Sequence, residues 1–387
     1  MEFRSLMLKS PHFLLIVKGT CMFKAITRPL SLAMLSSALL LSNLISPGLS
    51  QTGPSVDKAS VLVWASTRGM YYPKPGQGDE TRSAWLPNIG FRLNGPIEVG
   101  TKVEVQYSIQ DKPWISLELS PDPRPAGRWF AFDREGSRVS DEKATLETGP
   151  VTVTIKAVNE LSGLHSLLYK GTLDVKKYHY RDPKQFPNFK NKFDYYVEQD
   201  WRLPFGFLTG SWSNSNDING VEHTPLLFAK IWFRGSDVEQ IEGHLYHNGK
   251  QVAKARGDSA TTVSASESTD YSWTLVSFNF TGMNSDPVIF YDTSGKPAAH
   301  THFFNLNQNP GDYELKVLHK GELSRSMRFS VGPSGRIVDN GFSTQLALPD
   351  SWTLPVKVLK QTDGKWNQDA WKLGAFYANP LSGFKLP

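Results

Sequence analysis

The sequence predicts an all-β protein, with two tandem β-sandwich domains joined by an aromatic-rich structured segment. Three observations predict it. Apolar and polar residues alternate with a period of two in run after run, the mark of strands with one buried face. Most runs last about four to nine residues and are closed by Gly, Pro, Asn or Asp. The 3.6-residue period of an amphipathic helix is nearly absent, its best trace being the short stretch 367–373.

The first block of strands is expected within 84–177, preceded by an N-terminal strand and extension at 51–83. Its clearest members are Val103-Glu104-Val105-Gln106-Tyr107-Ser108-Ile109 and Val151-Thr152-Val153-Thr154-Ile155. Further strands are expected at 60–65, 89–93, 114–119, 129–132 and 167–175. Turns such as Asn94-Gly95-Pro96 and Pro121-Asp122-Pro123 separate them.

The pattern restarts in 223–335, with strands expected at 226–234, 240–247, 251–256, 271–280, 288–291, 302–306, 313–318 and 326–331. His247-Asn248-Gly249-Lys250 places Asn-Gly, the strongest short hairpin signal, between two of them. Then come Asn309-Pro310-Gly311-Asp312-Tyr313-Glu314-Leu315-Lys316-Val317, a turn at His319-Lys320-Gly321-Glu322, and Met327-Arg328-Phe329-Ser330-Val331. Residues 309–331 resemble the last strand pair of bacterial immunoglobulin-like domains. The resemblance implies an immunoglobulin-like sandwich in which the Tyr313 hydroxyl ties the corner back to the backbone. It implies no activity.

Between the blocks lies 178–222. Of the 35 residues from Tyr178 to Trp212, 11 are aromatic. Flexible linkers lack aromatics because nothing there buries them, so this segment is expected to pack on the sandwiches and fix their relation. The tail, 336–387, carries Trp352, Trp366, Trp371, Phe376, Tyr377 and Phe384, and is expected to fold back across a domain.

Residues 1–50 read as an export signal that starts at Met22. Lys24 and Arg28 precede an apolar stretch at 30–41 and a small-residue exit before Gln51. The stretch is shorter than the roughly 20 residues of a spanning helix, so no transmembrane anchor is expected after cleavage. The sole cysteine, Cys21, falls in this region, which leaves the remainder without disulfide or thiol chemistry. An exported chain without cysteine suits a bacterial periplasm or exterior. Residues 1–50 also hold a net +4 of the chain's +5, leaving about +1 and no global field to draw nucleic acid. No cofactor is expected.

Candidate site residues fall into three groups. Trp201 and Trp212, with Asp200 and Asp217 beside them, form the candidate ligand-binding set, because exposed rings next to polar groups make a platform for sugar faces. The competing reading of these rings is interdomain core. His300 and His302, two residues apart on an expected strand, with His244 as a third donor, are the candidate metal ligands. Asp194, Glu198, Asp200, Asp217 and Glu222 crowd the junction and supply the acids that glycoside hydrolysis would need. No nucleophile elbow or phosphate loop is present. The expected role is therefore non-enzymatic, a binding or structural protein for a protein or an envelope or extracellular polysaccharide. The alternatives are a carbohydrate-active enzyme with its acids at the junction and a metal-binding envelope protein.

Overall fold

A computed structural model describes residues 54–370, apart from 75–77, 125–127, 133–138, 213–224, 236–237, 265–268, 281–287, 299–305, 339–351, 360–365 and 368. The helix expected at 367–373 and the strand expected at 302–306 lie largely outside these residues. Strands and single 3-10 turns make up all the regular structure described. None of its helices is long and apolar enough to cross a membrane.

The first half of the chain builds two antiparallel sheets around one core. β1 (Ser55–Lys74) and β2 (Gly78–Asn94) form a long hairpin, extended by β6 (Arg128–Phe132) and β5 (Asp122–Arg124) in the order β1-β2-β6-β5. The second sheet runs β4-β3-β7-β8-β9, from β3 (Lys102–Ile109), β4 (Lys112–Leu119), β7 (Gly149–Asn159), β8 (Leu164–His179) and β9 (Phe193–Val197). The alternation that predicts β3 and β7 also sets their faces. Val103, Val105 and Tyr107, with Val151, Val153 and Ile155, point into the core against Val63, Leu86, Ile89 and Phe91 of the first sheet. Residues 55–74, where a strand is expected only at 60–65, form one long strand paired with β2.

The second half differs from a two-sheet sandwich. β10 (Phe205–Trp212), β11 (Pro225–Arg234), β12 (Ile241–His247), β13 (Lys250–Ser264), β14 (Ser272–Asn279), β16 (Gly311–His319), β17 (Glu322–Val331) and β18 (Trp352–Val358) close into an eight-stranded antiparallel barrel, with the short β15 (Ile289–Phe290) on its flank. Two strands close the ring by changing partners along their length. β13 pairs with β12 through Lys250–Arg256 and with β14 from Gly257 onward. β18 pairs with β10 at Trp352–Pro355 and with β17 at Val356–Val358. Gly206 sits inside this corner: a Cβ there would lie 2.5 Å from Met327 Sδ and 2.8 Å from Val356 Cγ2. Inside the ring, Leu208, Ile231, Phe278, Leu315, Met327 and Leu354 belong to one apolar core.

The expected corner is present: the Tyr313 hydroxyl donates to the Asn309 carbonyl at 2.5 Å. The expected turn at Asn248-Gly249 is also present, with both residues at positive φ, as is Lys320-Gly321. A third turn of this kind, Gln110-Asp111 between β3 and β4, has φ of 50° and 63° without any glycine.

The aromatic segment divides in two. Residues 180–192 form a loop between β8 and β9. Beyond it, Trp201, Leu203, Phe205 and Phe207 enter the core of the first two sheets together with Trp232 of β11 and Trp273 of β14. The first core therefore continues onto the outside of the barrel.

Candidate functional site

Of the acids that the sequence singles out, the junction brings Glu198 and Asp200 together in the interior. After β9 the chain makes one 3-10 turn, Asp200–Arg202, before entering β10. Glu198 precedes that turn and Asp200 opens it; they are 3% and 0% exposed. Arg234, at the end of β11, reaches both carboxylates through Nη1, at 2.6 Å from Asp200 Oδ2 and 3.8 Å from Glu198 Oε1. Trp273 Nε1 donates to Asp200 Oδ1 at 2.9 Å, and the Asn367 backbone N–H donates to Oδ2. Glu198 Oε1 accepts the N–H groups of Gln199 and Asp200, both at 3.1 Å, and its Oε2 meets Lys176 Nζ at 3.0 Å. The cluster is closed by rings: Tyr178 stacks on Tyr271 at 4.3 Å, Tyr271 lies 4.6 Å from Tyr196, and Arg234 sits 5.2 Å over Trp273.

Burial sets the chemistry of this cluster. It pushes the Asp200 carboxyl up, as does Glu198, while Arg234 and the donors from Asn367 and Trp273 pull it down, leaving it at about 7. The Tyr196 hydroxyl is raised by burial first and Glu198 second. Burial lowers Lys176, but Glu198 and Asp174 outweigh it and hold the ammonium above its ordinary value.

The candidate ligand residues therefore fall in different places. Trp201 is 3% exposed, with the Arg202 guanidinium 4.6 Å over its ring, so Trp201 and Asp200 are interior groups. Their burial follows from two apolar surfaces meeting at this turn. Trp212 ends β10 opposite Pro225, with its side chain outside the described set. Asp217, Glu222, His300 and His302 lie outside the described residues. Asp194 is buried and accepts from the Tyr178 hydroxyl at 3.0 Å. His244 is on β12, with Nε2 3.2 Å from Glu242 Oε2; Lys254 meets the other Glu242 oxygen at 2.7 Å. Among the described residues, no group of three or more His, Cys, Asp or Glu could hold a metal ion.

The outer face of the barrel carries a shallow groove of about 590 Å³ between β16, β17 and β18, where Lys316, Arg328 and Lys357 surround Glu314. Glu314 accepts from Ser326 Oγ at 2.7 Å and faces Arg328 Nε at 3.5 Å. Burial raises its pKa, but the Ser326 hydrogen bond and the nearby Lys316 and Arg328 charges lower it further. A carboxylate held ionised in this way is no proton donor.

No protein-family profile matches the chain, and no curated protein sequence matches it. Among solved structures, an uncharacterized protein from Listeria monocytogenes EGD-e, in complex with α-D-glucose, β-D-glucose, magnesium and calcium, is similar over 64% of this chain at 12% identity and a TM-score of 0.18. The chain spans 20% of that protein's length. At that TM-score the likeness carries no argument about fold or ligand.

Proposed function

We propose that this chain is a secreted or periplasmic, non-enzymatic binding protein whose partner is an envelope or extracellular polysaccharide or another protein. One observation carries the reading: the two junction carboxylates point into protein and spend their oxygens on protein donors. A glycosidase needs its acids on either side of an open cleft that admits a sugar ring and a water. Glu198 and Asp200 instead converge on a single guanidinium under a lid of aromatic rings. The Asp200 carboxyl near 7 has the titration of a catalytic acid, but burial first and the neighbouring Glu198 second account for its rise. The immunoglobulin-like plan enters this proposal through the Tyr313 corner, and the export signal through residues 22–50. Sheet faces and loops are then the surfaces left for a partner.

The test is to mix the purified protein with a panel of polysaccharides and follow tryptophan fluorescence and reducing ends together. The reading expects a saturable spectral change with no product. Release of sugar by the wild type, lost in Glu198→Gln or Asp200→Asn, would replace it with the hydrolase.

A further inference from the structure

We propose that the β8–β9 loop is a binding site for an acidic polysaccharide, held through carboxylate groups repeated along the polymer. The inference deepens the reading above and rests on it. A chain of nearly balanced charge concentrates cations here: from Lys176 to Phe193 the sequence holds six Lys and Arg against one acid, Asp182. Lys176 turns inward to Glu198. Lys177, Arg181, Lys184, Lys190 and Lys192 form no ion pair among the described residues, and Asp182 accepts the Lys184 N–H at 2.9 Å. Five charges without acid partners on one surface segment make a local positive field that whole-chain counting hides.

The loop is built rather than loose. Tyr180 N–H donates to the Lys192 carbonyl at 3.2 Å and closes its neck. Inside, Phe186 N–H donates to Asp182, Phe189 N–H to Phe186 and Lys192 N–H to Phe189, each at 2.9 Å. Rings support the cations from beneath. The Arg181 guanidinium lies 5.0 Å from Phe189, 5.3 Å from Phe186 and 5.7 Å from Tyr180, and Lys192 lies 4.8 Å over Phe189. A guanidinium stacked on rings keeps its N–H fork directed outward in plane, the geometry that meets a carboxylate. Ordering the cations in advance lowers the entropy lost on binding.

The same stacking argues against two other polyanionic surfaces. Tyr180 and Phe189 stack on each other at 5.7 Å and carry cations on their faces, so neither offers a nucleobase a free platform. Of the three rings beneath Arg181, Phe186 alone is exposed, at 40%, which is little to sink into a lipid layer. Charges spread from Lys177 to Lys192 suit a flexible polymer that repeats its carboxylates.

The experiment titrates the protein with polygalacturonate, dextran, phosphatidylglycerol vesicles and single-stranded DNA, while reducing ends are assayed. Polygalacturonate is expected to bind, and dextran is not. Raising NaCl from about 50 to about 200 mM should weaken the complex several-fold. Arg181→Gln/Lys184→Gln/Lys190→Gln/Lys192→Gln should weaken it at least about tenfold with an unchanged circular dichroism spectrum. Lys184→Gln/Lys190→Gln, which leaves the stacked cations in place, should give an intermediate loss. Absence of polygalacturonate binding, equal binding of dextran, or tighter binding of vesicles or DNA overturns the proposal. Unchanged affinity in both variants overturns this site while leaving a non-enzymatic polysaccharide binder standing. Product release overturns the binder itself.

Discussion

At the scale of single residues, Arg234 is the group on which the junction turns. It is the shared counter-charge of Glu198 and Asp200 and sits against Tyr271 and Trp273. Removing one partner of a buried ion pair leaves the other charge without compensation, at about 3–5 kcal/mol. Arg234→Gln should lower stability in urea unfolding by less than that, because Glu198 keeps Lys176 and Asp200 can take up a proton. Asp200 adds a pH dependence whose sign is fixed. Its carboxyl titrates near 7 in the folded protein against an ordinary 3.8, so between those values the folded state holds a proton that the unfolded chain has released. The stability linked to this proton is complete below about 4 and is lost as pH rises through about 7. Asp200→Asn should flatten this part of the stability profile, measured as urea midpoints across the range.

At the scale of elements, the hairpins show what the sequence could and could not say. Asn248-Gly249 and Lys320-Gly321 are legible because glycine accepts the positive φ that a two-residue turn demands. Gln110-Asp111 takes the same conformation with side chains that resist it, so no local signal marks it. Replacing the pair by Asn-Gly should raise stability by about 1 kcal/mol, read as a shift of the urea midpoint; no gain would mean that the turn is not strained. β3, β7 and β16 are legible because alternation records a strand with one wet face. β9 was hidden because Asp194, Tyr195, Tyr196 and Val197 are all buried, which erases the alternation. The partner changes of β13 and β18 are equally silent: periodicity specifies a strand's faces, not its neighbours. That is why two sheets were expected where a barrel forms. At the site, the acids near the junction were visible in sequence, but their burial was not, since it depends on apolar surfaces brought together by distant strands. The basic loop is obscured by its aromatics and by the near-neutral total of residues 51–387, about +1.

At the scale of the whole molecule, the junction makes the two halves one packing unit. Trp232 and Trp273 of the barrel share a core with Val63, Phe91 and Val153 of the paired sheets. Shared burial of this kind couples unfolding, so calorimetry should record one cooperative transition; two resolved transitions would mean that the halves unfold independently. The most direct measurement is an amide hydrogen-exchange footprint of the protein with and without polygalacturonate. Slowed exchange confined to residues 177–193 is the expected result, with no change at 198–202, 232–234 or 271–273. Protection centred on those junction segments, or none anywhere, would contradict it.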